Sequence, residues 1–286
     1  MEKQNLDIMI YGSSRPQLFP FCWQSFKKYF HFRGNMRVIF HEDFVFPDES
    51  RKTILFLNDL KEKGEIQEII STNPARGLGL SMDHILRNVI KTKYCFNLQE
   101  DWEFERPIDV DRILWTMDNH TGINNVVLNK IKNTGSLNRI NQPEYNFDGL
   151  RMCLYAQWSF MPGFWRIERA MKNWRVRTDR PEGYFTNSFG DYETRTNNEF
   201  CRKNIGAYLL GHTGDFRYVR HLGNNWRMAA WRLANGKPSG CHDASRMDDP
   251  YRAKWLPPLE QRPIYGEKEY TKEEIDKMLA EEAGIE

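Results

Sequence analysis

No uninterrupted apolar run in this 286-residue chain approaches the roughly 20 residues that a membrane-spanning helix needs. The opening residues, MEKQNLDIMIYG, hold no signal-type apolar stretch and lead straight into strand-like sequence, so a cytoplasmic location is expected. Cysteine is sparse and scattered. Cys22, Cys95, Cys153, Cys201 and Cys241 form no CxxC pair, which argues against a disulfide frame or a zinc site and for reduced, mostly buried thiols. There is no internal repeat and no low-complexity tract. A glycine-rich basic loop after the first strand is also missing: GSSRPQ offers one Gly and one Arg there. GLG at 77–79 is too short for a dinucleotide fingerprint.

What is present describes a globular chain. Hydrophobic residues make up 40% and aromatics 14%, enough for one large α/β domain or two small ones. The net charge of +2 hides a gradient. Residues 1–150 carry 19 basic against 20 acidic side chains, residues 151–260 carry 18 against 11, and residues 261–286 carry 4 against 8. The middle stretch also holds six of the nine tryptophans: Trp158, Trp165, Trp174, Trp226, Trp231 and Trp255. A basic, aromatic segment suits a phosphate-rich or sugar partner. The same composition equally fits a core with an arginine-rich solvated face.

Hydrophobic periodicity orders the first half. DIMIYG (7–12) reads as a strand. Phe19, Trp23, Phe26 and Phe30 then recur at helical spacing, with Pro20 in the first turn. MRVIFHED (36–43) is a second strand, a polar helix spans about 49–63, and IQEII (66–70) is a third strand. Ser81 is the expected N-cap of a helix that places Ile85, Leu86, Val89 and Ile90 on one face. YCFNL (94–98) is the fourth strand. This alternation predicts an α/β fold, a mostly parallel sheet flanked by helices. Ligands of such sheets gather at the carboxyl ends of the strands. Beyond it, Pro107 opens a helix through DVDRILWTMDN, NNVVLNKI (124–131) reads as a strand, and residues 133–150 are polar and rich in turns. Strand character resumes at LRMCL, breaks at Met161-Pro162-Gly163, and returns in FRYVRHLGNNW (216–226). The tail TKEEIDKMLAEE is an amphipathic helix with a capping box from Thr271 to Glu274. The expected division is 1–132, 133–260 and a C-terminal helix in 261–286.

Carboxylates mark the strand ends. The second strand runs into Glu42 and Asp43, and the fourth into Glu100 and Asp101, with Glu103 close behind. Charge is costly where the chain is dry, so such acids sit in water, pair with a cation or hold a metal. Adjacent acids after a strand suit a hard divalent cation, Mg2+ or Mn2+, that in turn holds a diphosphate. An acid-rich surface turn is the plainer alternative. Trp102 either walls a sugar pocket or packs. Arg15 and Arg76 either meet phosphate or acids or are solvated. CHDAS carries no triad, because catalytic triads assemble from distant positions.

Taken in order, a first strand followed by SSRP, an acidic second-strand end, RGLGLS before a helix and a strand ending in QEDW resemble the GT-A class of nucleotide-sugar glycosyltransferases. That class carries a DxD-type motif after its fourth strand, often written EDD, and here the motif reads Gln99-Glu100-Asp101. The resemblance covers residues 5–225. It implies a Rossmann-like GT-A domain with a nucleotide-sugar-binding half (1–132) and an acceptor-side elaboration (133–260). It implies Asp101 and His221 as ligands of Mn2+ or Mg2+, and Asp191 or Glu193 of FGDYETRTNNEF as the base of an inverting transfer. Ser13, Arg15, Glu42, Asp43, Arg76, Glu100, Trp102 and Gly163 are the implied nucleotide-sugar contacts. The implied donor is a nucleoside-diphosphate sugar, with a UDP-sugar expected. The implied acceptor is a hydroxyl on a glycan or lipopolysaccharide precursor, a protein, or a hydroxymethylated pyrimidine in DNA. That last acceptor resembles the job of phage-type enzymes, which would place the protein in a host cytoplasm. Two other classes stay open: a nucleotidyltransferase, and a binding module that kept the fold without the chemistry.

Overall fold

The computed structural model describes residues 4–75, 77–128, 143–155, 160–173, 206–212, 215 and 217–222. Strand β1 (Asn5–Gly12) is buried at every residue but the first. It feeds α1 (Phe19–Tyr29), which carries Pro20 in its first turn and Lys27 and Lys28 in its last. The proline gives up no helical hydrogen bond there, and the lysines meet the negative end of the helix dipole. Next come β2 (Phe30–His31), β3 (Asn35–Asp43), α2 (Pro47–Glu62), β4 (Glu68–Thr72), α3 (Leu78–Asn88) and β5 (Tyr94–Gln99). The remainder comprises β6 (Trp102–Phe104), β7 (Ile108–Asp109), α4 (Val110–Asn119), β8 (Ile123–Val127) and β9 (Glu144–Phe147). Then follow β10 (Leu150–Leu154), β11 (Gly163–Arg166), α5 (Ile167–Asn173), β12 (Gly206–Leu210) and β13 (Val219–His221).

Nine strands form one sheet in the order β4-β3-β1-β5-β11-β8-β12-β10-β9. The first four pair in parallel, as the alternating pattern predicts. The second half is mixed: β11 is antiparallel to β5 and β8, β12 is parallel to β8, and β10 is antiparallel to β12 and β9. β10 and β11 therefore run against the other seven. The chain steps outward from β1 through β3 to β4, then returns to lay β5 on the other side of β1. The carboxyl ends of β1 and β5 thus flank a topological switch point, where open α/β sheets form their binding crevice.

Helices cover both faces. Phe19, Trp23 and Phe26 of α1, Leu57 and Leu60 of α2, and Ile113, Leu114 and Met117 of α4 pack on one side. Met82, Ile85 and Leu86 of α3 and Ala170 of α5 pack on the other, against Met9, Cys95 and Trp165. On the first side Phe30, Phe96 and Phe164 form an aromatic chain, with Phe96 centroids 4.8 Å from each neighbour. Such pairs add about 0.5–1.5 kcal/mol each beyond their buried area.

Several boundaries differ from the sequence expectation. α3 begins at Leu78 with Gly77 as its N-cap, not at Ser81. The Gly77 N–H donates to Asp43 Oδ2 at 2.9 Å, so a carboxylate from β3 fixes the start, and Ser81 lies buried within the helix. α4 begins at Val110 instead of Pro107, because the Asp109 side chain accepts from Arg112 N–H and caps it. Residues 144–154, partly assigned to a turn-rich boundary, form a hairpin across Asp148-Gly149, a dipeptide suited to tight hairpin turns. Of the six tryptophans in 151–260, Trp165 lies within the described residues, and it is core. The C-terminal helix at 271–282 lies outside them. No described helix is long and apolar enough to cross a membrane.

Candidate functional site

Register brings the strand-end acids together. Gly12 of β1 pairs with Glu42 of β3, and Tyr11 pairs with Gln99 of β5. Glu100 then follows beside Gly12, its N–H donating to the Tyr11 carbonyl at 2.9 Å. Glu42 and Glu100 are fully buried on either side of the glycine. A Cβ on Gly12 would lie 2.2 Å from Glu42 Oε2 and 2.6 Å from Glu100 Oε2. Only glycine leaves room for both carboxylates at this point.

The Ser13-Ser14-Arg15 loop uses these acids as its scaffold. The Ser13 N–H donates to Glu100 Oε1 at 2.8 Å, and the Ser14 N–H donates to Glu42 Oε1 at 2.8 Å. Ser14 adopts a φ of 62°, an uncommon conformation for a residue with a side chain. A relay of hydroxyls holds it. Phe46 N–H donates to Ser14 Oγ at 2.8 Å, Ser14 and Ser50 hydroxyls meet at 2.7 Å, and Ser50 donates to Glu42 Oε1 at 2.6 Å. Glu42 is thereby committed to positioning the loop. Asp43, also buried, positions the start of α3 as described above.

Arg15 turns inward from this loop. Its Nε donates to Glu100 Oε1 at 2.5 Å, and its Nη1 donates to Asp101 Oδ2. All three residues are buried. Two short strands complete the arrangement. β13 pairs with β6 so that His221 lies opposite Trp102. The two rings are 4.4 Å apart, and His221 Nε2 lies 3.2 Å from Asp101 Oδ2. The Leu222 N–H also donates to the Asp101 carbonyl at 2.8 Å. Arg220 beside it binds Glu103 through Nε at 3.0 Å. Gln99, the departure from the EDD form, braces the motif: its Oε1 accepts from Trp102 Nε1 and its Nε2 donates to the Phe160 carbonyl, each at 3.1 Å.

Burial raises Glu42 well above the usual carboxylate range, and the charge of Glu100 adds to this. Burial likewise raises Glu100, against the opposing pull of Arg15 and the Ser13 N–H. For Arg15, burial works against the charged form, but Asp101 and Glu100 outweigh it and hold the guanidinium protonated. Both glutamate Oε2 atoms are buried without a hydrogen-bond partner, an environment that disfavours the charged form of each carboxyl.

The remaining expected residues are placed as follows. Gly163 lies inside the sheet, paired with Asn97 and Val127, where a Cβ would come within 2.7 Å of the Val126 carbonyl. Its need for glycine comes from this close approach of β8. Arg76, Asp191 and Glu193 lie outside the described residues. Sequence reasoning missed Gly12, Ser14, Ser50 and the bracing role of Gln99. The Gly ending the first strand was the signal available for Gly12; nothing local marks Ser50.

Among the described residues no three His, Cys, Asp or Glu side chains form a complete metal-holding group. Asp101 and His221 nevertheless offer one oxygen and one imidazole nitrogen facing each other, a donor set that suits Mn2+ or Mg2+ when a diphosphate and water fill the other positions. The residues fit such an ion as an incomplete site.

No family model and no curated protein matches the sequence. Solved structures do match the fold. The chain superposes on S. aureus TarS 1–349 in complex with UDP with a TM-score of 0.51 at 10% identity, covering 80% of this chain and 64% of that one. For the longer TarS structure the TM-score is 0.52 at 10% identity, covering 99% of this chain and 43% of that one. For GalNAc-T7 with UDP, GalNAc and Mn2+ it is 0.53 at 8% identity, covering 77% and 44%. The chain thus spans less than two thirds of the length of these structures. What it has is the fold of the GT-A glycosyltransferases, a mixed central sheet flanked by helices. In particular, it is structurally similar to glycosyltransferases that use nucleotide sugars.

Proposed function

We propose that this protein is a metal-dependent glycosyltransferase that moves one sugar from a nucleoside-diphosphate donor to a hydroxyl acceptor with inversion. The observation that carries the reading is the convergence of Glu100, Asp101 and His221 on the switch point beside β1. TarS is solved with UDP and with UDP-GlcNAc, and GalNAc-T7 with UDP and Mn2+. Those ligands support a UDP-sugar as donor here. Residues 1–132 form the donor half and residues 133–260 the acceptor half.

Asp101 and His221 would hold the divalent cation, which would supply counter-charge to the diphosphate oxygens of the donor. The Ser13–Arg15 loop borders the crevice that receives the donor, and Trp102 backs His221. Asp191 or Glu193 accepts the proton of the acceptor hydroxyl while its oxygen attacks the anomeric carbon and the nucleoside diphosphate leaves. The acceptor is a glycan or lipopolysaccharide precursor or a hydroxymethylated pyrimidine in DNA. The excess of basic residues in 151–260 favours testing DNA, whose affinity would fall steeply with salt.

A thermal-shift panel of UDP-, GDP-, CMP- and dTDP-sugars and free nucleoside triphosphates, with and without Mn2+ and followed by a turnover assay on any donor that binds, tests the reading, since a ligand of the native state raises the melting temperature. The expected result is a metal-dependent shift for one donor that disappears in Asp101→Ala. A shift with free nucleoside triphosphates alone would favour a nucleotidyltransferase. Donor binding without turnover would favour a binding module.

A further inference from the structure

We propose that Arg15 and a divalent cation compete for the Glu100–Asp101 carboxylates, so that Arg15 sets the affinity for the metal. This rests on the assignment of Asp101 and His221 to the cation. The guanidinium spans both acids, through Nε to Glu100 Oε1 at 2.5 Å and through Nη1 to Asp101 Oδ2. Asp101 Oδ2 is also the oxygen that His221 Nε2 faces at 3.2 Å. The Asp101 oxygen that faces His221 is therefore already engaged by a positive charge. Two cations cannot occupy one buried carboxylate oxygen without strong repulsion.

The loop is built so that the side chain alone has to move. Ser13 and Ser14 on its N-terminal side are tied by their backbone N–H groups to Glu100 and Glu42. The Arg15 carbonyl accepts from the Leu18 N–H at 3.1 Å, leading into α1. The backbone is thus held at both sides, and the long flexible arm of arginine is what can withdraw. The guanidinium so released stays beside the crevice, where a diphosphate is the anion that would receive it. Cation and donor binding are then coupled: the metal frees the arginine, and the donor takes it up. A site open for only a fraction of the time binds its ligand with an affinity reduced by that fraction.

The test is Mn2+ titration of the full chain without any donor, read by the free-Mn2+ electron paramagnetic resonance signal. The variants are wild type, Arg15→Gln, Arg15→Lys and Asp101→Ala, each checked for folding by circular dichroism. Arg15→Gln is expected to bind Mn2+ roughly tenfold tighter than wild type. Arg15→Lys, which keeps the charge without the fork, is expected between the two. Equal or weaker binding in Arg15→Gln, with binding still abolished in Asp101→Ala, would overturn the competition and leave the cation assignment standing. Binding unaffected by Asp101→Ala would overturn both.

Discussion

Replacing Gly12 with alanine probes the close packing at the switch point. Gly12 does not adopt a left-handed φ, so alanine meets no backbone strain and the whole cost is steric. The new methyl would lie 2.2 Å from Glu42 Oε2, 2.6 Å from Glu100 Oε2 and 2.7 Å from Phe40 Cε1. Carboxylate oxygens would have to retreat by about 1 Å, an overpacking that costs about 1–3 kcal/mol. Retreat is not free. Glu42 Oε1 accepts from Ser14 N–H and Ser50 Oγ, and Glu100 Oε1 from Ser13 N–H and Arg15 Nε. Losing one of these buried bonds adds about 1–3 kcal/mol. The sum is about 2–6 kcal/mol, which at a urea slope of about 2 kcal/mol/M lowers the midpoint by about 1–3 M. Urea unfolding followed by tryptophan fluorescence measures it. In an Glu42→Ala background the same change should cost less, with a coupling of about 1–3 kcal/mol. A Gly12→Ala penalty below about 0.5 kcal/mol, or strict additivity with Glu42→Ala, would refute the packing argument.

Three further outcomes are expected. Glu42 is raised above its ordinary value of 4.5 by burial and by Glu100, so the native state binds more protons than the unfolded chain above that pH. Its contribution is present below 4.5 and is lost as pH rises through the higher native value; thermal melts from pH 5 to 8 should show falling stability, with a shallower fall in Glu42→Gln. Gln99→Ala removes the acceptor of Trp102 Nε1 and one of the two side-chain amides that donate to the Phe160 carbonyl, the other being Asn97; a loss of about 1–3 kcal/mol in urea unfolding is expected, with weaker donor binding. Asp109→Ala removes the cap on Arg112 N–H and should cost about 1 kcal/mol in the same assay.

The parallel half of the sheet was legible because its strands are short apolar runs separated by helical periodicity, and the acids at 42–43 and 100–101 break those runs sharply. His221 was legible through the RHLG sequence set beside a family resemblance. The mutual arrangement was not. Arg15 and Glu100 are 85 residues apart, and the β6–β13 pairing that seats His221 on Trp102 spans more than a hundred; local pattern carries no record of such partners. The start of α3 was misplaced because Ser81 looks like a cap in sequence, while the actual anchor is Asp43, delivered by another strand. The mixed half escaped for a related reason. β10 and β11 run against their neighbours according to long-range pairing, and an antiparallel strand of four or five residues has no local signature that a parallel one lacks.

Turnover tests the central claim most directly. The purified chain would be incubated with Mn2+ and each of a panel of nucleoside-diphosphate sugars, and release of the free nucleotide would be followed with water as the fallback acceptor. The account predicts release from at least one donor, a UDP-sugar first, dependent on Mn2+ and lost in Asp101→Ala and His221→Ala. No release from any donor by a folded chain, or release that persists unchanged in Asp101→Ala, would contradict it.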